Sequence, residues 1–232
     1  MKPTNHAPEQ QLREEFNRWA ALGRGEEMEE NHLPIVIPML EMMDLRSYDH
    51  VLDVGCGSGW LVCRLAKLLP GGVFVGVDVS DEMVRRAQVA GATLPNTTFL
   101  QATAEDLPAP SESFTKVISV ESAYYWHDVG RGLSGISRVL APGGSAWILI
   151  NFYRDNSDCH QWAENFTIPT TLLSASEWQK EFEAAGFQKV QSHRIPDLSP
   201  TPEAYSGRWF RDAAQLQRFK AVGALLVTGV KP

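Results

Sequence analysis

The sequence predicts a doubly wound α/β fold with a mostly parallel, seven-stranded sheet, and three observations predict it. From residue 50 onward, short apolar runs alternate with segments whose apolar residues recur at helical spacing. The runs are near-continuously apolar, as strands covered by helices on both faces must be. The first run, VLDVG, passes directly into CGSGWL, a glycine-rich turn that opens a helix. Repeated βα units of this kind build parallel sheets.

Each element has its own signal. Residues 10–22 carry Leu12, Phe16, Trp19 and Ala20 on one helical stripe, and Gly23 and Gly25 end it. Residues 28–43 read as a second helix whose start Pro34 and Pro38 make irregular. Residues 1–45 are therefore expected to form a helical cap and residues 46–232 the core of one domain. The core runs VLDVG (strand), SGWLVCRLAKLL (helix stopped by Pro70-Gly71-Gly72), VFVGVDVS (strand), DEMVRRAQVA (helix) and TTFLQATA (strand). After a loop with Pro108 and Pro110 come TKVISVES (strand), GRGLSGISRVL (helix), APGG (turn) and SAWILINFY (strand). Ser174 and Glu177 form a capping-box pattern ahead of EWQKEFEAAGF. QKVQSHRI, a helix over residues 212–222 stopped by Gly223, and ALLVTGV close the chain. The last two strands are expected to make a short-linked hairpin-like edge, the final one antiparallel.

Composition narrows the function. The chain has 232 residues, 44% hydrophobic and 21% charged, with a formal net charge of −7. An acidic chain without Lys/Arg clusters is a poor partner for nucleic acid or an anionic membrane. No run approaches the roughly 20 apolar residues of a membrane span. Cys56, Cys63 and Cys159 cannot all pair within one chain, and their spacing matches no zinc pattern, so a cytoplasmic location with reduced thiols and no metal is expected.

The turn Gly55-x-Gly57-x-Gly59 lets a ligand approach the backbone. Asp78, about 20 residues on at the end of the next strand, can accept hydrogen bonds from ribose hydroxyls. Dinucleotide binders have a third glycine where this chain has Trp60, and a phosphate-loop lysine is absent. The turn therefore faces a ribose-bearing ligand without pyrophosphate.

VLDVGCGSG, GVDVS, QATAEDLP, VISVESAYYW and RVLAPGG, in this order, resemble class I S-adenosylmethionine-dependent methyltransferases, most of all the small-molecule group that includes the ubiquinone and menaquinone enzymes. The resemblance covers about residues 51–150 and implies a Rossmann-like core with S-adenosylmethionine as cofactor. It implies that Gly55, Cys56 and Gly57 approach the methionine part, with Asp53 beneath it. Asp78 would take the ribose, Val79 and Met83 would flank the adenine, and Ala104 and Glu105 would meet its edge. Glu121 and Ser122 would border the sulfonium. Apart from the resemblance, the cap is expected to close over the cofactor as a lid hinged at the two glycines flanking Arg24, with Trp19 lining it and Arg24 reaching the cofactor's carboxylate. At one place the sequence departs from two subgroups of the family. Val120-Glu121-Ser122-Ala123 lacks the Asn/Asp-Pro-Pro-Tyr/Phe motif of DNA amino-methyltransferases and the Gly-Leu-Arg-Asn of the quinone enzymes.

Ligands of open α/β sheets sit beyond the carboxyl ends of the strands. Two of those ends are aromatic, at residues 124–126 and 152–153, with His160 and Trp162 following. Tyr124, Tyr153 and His127 are the candidate catalytic groups, since an imidazole titrates near neutrality. Tyr124 equally reads as packing and His127 as the start of the next helix. Cap residues Phe16, Arg24 and His32 can reach the crevice, while Glu26, Glu27, Glu29 and Glu30 read as a solvated face. The expected function is methyl transfer to a small-molecule acceptor. A cofactor-binding regulatory or partner protein, or a protein methyltransferase, is the alternative.

Overall fold

A computed structural model describes residues 7–25, 27–205 and 207–232; Glu26 of the acidic run lies outside them. Strands β1 (His50–Val54), β2 (Val73–Asp78), β3 (Thr97–Gln101), β4 (Phe114–Val120), β5 (Leu140–Ile150), β6 (Gln188–Ile195) and β7 (Ala224–Val230) form one sheet in the order β3-β2-β1-β4-β5-β7-β6. The pairs from β3 to β5 are parallel, and β7 runs antiparallel to both β5 and β6. The chain steps outward from β1 to β3 and then returns to β4. That reversal opens a crevice above the carboxyl ends of β1 and β4.

Helices α3 (Trp60–Leu68) and α4 (Asp81–Ala90) cover one face, packing Leu61, Leu65, Val84 and Ala87 on Val51, Phe74 and Phe99. Helices α5 (Val129–Val139) and α6 (Ala175–Ala184) supply Leu133, Ile136, Trp178 and Phe182 to the other. The capping box at Ser174 and Glu177 is present, and Asp212 and Gly223 bound α7 (Ala213–Val222).

The N-terminal helices are α1 (Ala7–Ala21) and α2 (Met28–Met42). α2 continues through Pro34 and Pro38, which stand one turn apart and so leave their two missing N–H groups on one face. Its Ile35, Val36 and Met39 are buried in the core beside α3. The expected boundary at residue 45 thus cuts across packing: α2 is part roof and part core layer.

Two expectations are corrected. APGG is not a free turn but the start of β5. Phe114 pairs with Leu140 and Lys116 with Ser145, so β5 carries the surplus residues as a bulge. β6 and β7 are linked not by a short turn but by residues 196–223, including α7, because β7 inserts between β5 and β6. A 3-10 segment, Ser157–Glu164, occupies a stretch with no clear periodicity.

Candidate functional site

The site begins at the turn after β1. Gly55 and Gly57 have φ of 81° and 53°, conformations that strain any residue with a side chain. A Cβ on Gly55 would lie 1.9 Å from Ser122 Oγ, so the turn and the end of β4 approach backbone to side chain. The N–H groups of Gly55 and Cys56 donate to the Val77 carbonyl at 2.8 and 2.9 Å. Asp78 completes the turn, accepting from Gly57 N–H and Ser80 N–H, both at 2.9 Å. Ser80 caps α4 by accepting from Met83 N–H.

Two further carboxylates join Asp78. Asp53, at β1, is buried, and its Oδ1 has no hydrogen-bond partner among the described residues. Burial, with the nearby Asp78 charge, pushes its pKa up to about 7. Burial raises Asp78 to about 6 against the opposing pull of its two N–H donors. Glu121, just past β4, has φ of 53°, a strained conformation for a non-glycine residue. Its carboxylate accepts from the Asn151 N–H and, at 3.2 Å, from the Tyr124 hydroxyl. Burial raises it to about 7. Tyr124 is also hydrogen-bonded to Tyr125, and both phenols are pushed upward by burial.

These groups open into a cavity of about 750 Å³. Its lining includes the predicted Trp19, Arg24, Asp53, Gly55, Cys56, Gly57, Asp78, Val79, Met83, Ala104, Glu105, Glu121, Ser122 and Tyr124. α1 roofs it with Leu12, Phe16 and Trp19, pinned by Ser80 Oγ donating to Asn17 at 2.6 Å and Asn17 donating to Asp81 at 2.8 Å. The 22–25 turn is tied to the glycine turn by Ser58 Oγ donating to the Gly25 carbonyl at 2.8 Å. His32 reaches the cavity, and desolvation lowers its pKa to about 4.

Two proposed catalytic groups lie elsewhere. His127 is exposed outside the cavity; the next residue, Asp128, caps α5 through the Arg131 N–H. Tyr153 is fully buried away from it, donating to the Gly223 carbonyl at 2.7 Å beneath the Arg194 guanidinium. Its hydroxyl is engaged by the last residue of the β6–β7 connection rather than turned to the cavity. His160 is also exposed, with its Nε2 on the Arg154 carbonyl.

A further wall had no counterpart in the sequence pattern. Tyr205, Arg208, Trp209 and Phe210, from the β6–β7 connection, line the cavity. Trp162 donates through Nε1 to the Trp209 carbonyl at 3.0 Å, and Phe166 bridges Trp209 and Tyr125. The aromatic run near Trp209, amid Ser and Pro, was the available signal.

The arrangement suits a cation. Two buried carboxylates and a half-buried one, with no ion pair to a basic side chain among the described residues, favour a ligand that brings positive charge, and aromatic faces do the same. Among the described residues, no group of three or more His, Cys, Asp and Glu could hold a metal ion.

Residues 51–144 match a family model described as a methyltransferase domain. Among curated proteins, the chain is 28% identical to the sterol 24-C-methyltransferase of Pneumocystis carinii over 79% of its own length and 54% of the relative. It is 29% identical to 2-methyl-6-phytyl-1,4-hydroquinone methyltransferase 2 of Oryza sativa, covering 83% of this chain and 51% of the relative. The chain thus spans about half the length of these curated relatives. Among solved structures, the methyltransferase chain of a complex with the Haloferax volcanii Trm112 methyltransferase activator is 33% identical, with a TM-score of 0.87, covering 94% of this chain and 98% of that one. The chain belongs to the S-adenosylmethionine-dependent methyltransferase family.

S-adenosylmethionine is the cofactor of this family, and the residues present fit it. The cavity offers an unpartnered buried carboxylate oxygen, on Asp53, that an ammonium group could satisfy, beside a glycine turn whose backbone carries no Cβ to hold a ligand off.

Proposed function

We propose that the chain transfers a methyl group from S-adenosylmethionine to a small-molecule acceptor held in the aromatic half of the cavity. The observation that carries this reading is the grouping of buried Asp53 and Asp78 with half-buried Glu121 against an aromatic chamber in the same cavity. When bound, the cofactor supplies an activated methyl on a sulfonium cation.

In this reading Asp78 uses its remaining lone pairs for the ribose hydroxyls, and Asp53 Oδ1 accepts from the amino group. Val79 and Met83 flank the base, with Ala104 and Glu105 at its edge. Gly55, Cys56 and Gly57 approach the methionine part, and Trp19 covers it together with Arg24, whose guanidinium stacks on the indole and is left free to face the acceptor. Glu121 and Ser122 border the transferable methyl. α1, the 22–25 turn and the first half of α2 act as a lid that excludes water, over one core formed by the other described residues. Glu121, with a pKa near neutrality, can hold a proton leaving the acceptor, and Tyr124 orients that carboxylate. Positioning carries most of the remaining acceleration.

Three unpaired buried cysteines support a reducing cytoplasmic setting. No described helix is long and apolar enough to cross a membrane. The Haloferax volcanii relative stands in complex with an activator. A companion activator subunit is therefore part of the proposal, tested by whether the Trm112 protein co-purifies and raises turnover.

The test is incubation of purified chain with methyl-labelled S-adenosylmethionine and a metabolite panel. Acceptor-dependent formation of S-adenosylhomocysteine supports the reading. Tight cofactor binding with no turnover on any acceptor, with or without activator, favours a binding protein.

A further inference from the structure

Two arginines reach the cavity from different walls: Arg24 from the turn after α1 and Arg208 from the β6–β7 connection. Neither guanidinium has a hydrogen bond or ion pair among the described residues; each instead lies over an indole. Arg24 stands 4.9 Å from the Trp19 ring centroid and Arg208 4.4 Å from that of Trp209. The two are close enough that the charge of Arg208, after desolvation, lowers the pKa of Arg24. Glu15 and Glu27 attract the Arg24 charge but less strongly than burial and Arg208 oppose it, and neither acid is hydrogen-bonded or ion-paired to it. Glu15 is held by Arg18 and the Trp19 indole N–H, and Asp197 by Lys220. Glu27 and Glu30 line the cavity without a bond to either arginine.

Like charges left facing one chamber repel, and stacking on the indoles holds each planar fork in a fixed orientation. A guanidinium fork matches the geometry of an oxyanion, and a bound anion would relieve the repulsion. The same cavity has an apolar wall of contacting rings, Tyr125, Phe166 and Trp209, the last of them under Arg208. We infer that the acceptor carries a carboxylate or phosphate group, gripped by Arg24 and Arg208 at the mouth of the cavity, with its apolar body against Tyr125, Phe166 and Trp209. This rests on the methyltransferase reading and names its substrate class.

Equilibrium dialysis of the full chain saturated with S-adenosylhomocysteine tests it. The probes are three acid–amide pairs, 2-naphthoate and 2-naphthamide, indole-3-acetate and indole-3-acetamide, and decanoate and decanamide, together with 2-naphthyl phosphate. At least one acid binds about tenfold more tightly than its amide, a charge-assisted advantage. Comparing naphthoate with naphthyl phosphate shows which oxyanion is preferred. Arg208→Gln cuts the preference below about threefold with unchanged affinity for S-adenosylhomocysteine, and Arg208→Lys retains part of it. Arg24→Gln also lowers it. The inference is overturned if no acid outbinds its amide, if the preference survives Arg208→Gln, or if both glutamine variants weaken S-adenosylhomocysteine instead, which would assign the arginines to the cofactor's carboxylate. If S-adenosylhomocysteine itself does not bind, the methyltransferase reading falls first and the inference with it.

Discussion

Asp78→Asn separates organising the turn from holding the ligand. The Asp78 carboxylate accepts two N–H bonds at 2.9 Å, from Gly57 and Ser80. An amide presents one NH₂ where an oxygen was, so one of those buried N–H groups loses its acceptor, at about 1–3 kcal/mol. Against that loss, the substitution removes a charge that burial disfavours, as the upward shift of Asp78 to about 6 shows. The two effects oppose each other. The melting temperature should therefore move by less than about 5 °C, given roughly 2–4 °C per kcal/mol for a chain of this size. Ligand binding has no such compensation. Losing charge-assisted bonds to ribose hydroxyls costs about 1.5–3 kcal/mol, or about 10–100-fold in affinity. Calorimetry with S-adenosylhomocysteine reads this directly, beside a thermal melt. A dissociation constant within threefold of the parent, in a folded variant, would refute the assignment of Asp78 to the sugar.

Other predictions concern the same buried charges. Asp53, Asp78 and Glu121 all have raised values in the fold, so the folded protein holds protons that the unfolded chain releases. The stability of the ligand-free protein should therefore be greatest below about pH 4 and decline as pH rises through about 7, as far as these groups decide it. Binding of the cationic cofactor favours their ionised forms. Affinity should rise from pH 5.5 to 8 with proton release, seen as buffer-dependent heats in calorimetry; flat affinity would contradict this. Glu121→Gln should lower turnover about 100-fold or more in single-turnover assays, with the fold retained by circular dichroism. Gly55→Ala places a Cβ 1.9 Å from Ser122 Oγ and strains φ at 81°. It should lower the melting temperature by several degrees, and Ser122→Gly should restore part of the loss; a melt unchanged by Gly55→Ala would contradict the close approach.

The sheet and its glycine turn were legible because continuous apolar strands, helix caps and a positive-φ glycine turn are local signals. Ser174 with Glu177, Asp212 with Gly223, and Asp78 all stand where local chemistry put them. The β7 insertion was not legible, since strand order depends on long-range pairing rather than on any window of sequence. Tyr153 looked catalytic because it follows β5, but only the fold reveals that its hydroxyl meets the Gly223 carbonyl across 70 residues. His127 looked catalytic for its chemistry, yet the adjoining cap at Asp128 points it outward. The wall formed by Tyr205, Arg208, Trp209 and Phe210 was hidden because an irregular segment has no period to betray which side it faces.

The most direct measurement is titration of the ligand-free chain with S-adenosylmethionine in a calorimeter at pH 8, with NAD as comparator. One site per chain, tighter than about 100 μM, is expected, with no heat from NAD. Absence of S-adenosylmethionine binding, or saturation by NAD in its place, would contradict it.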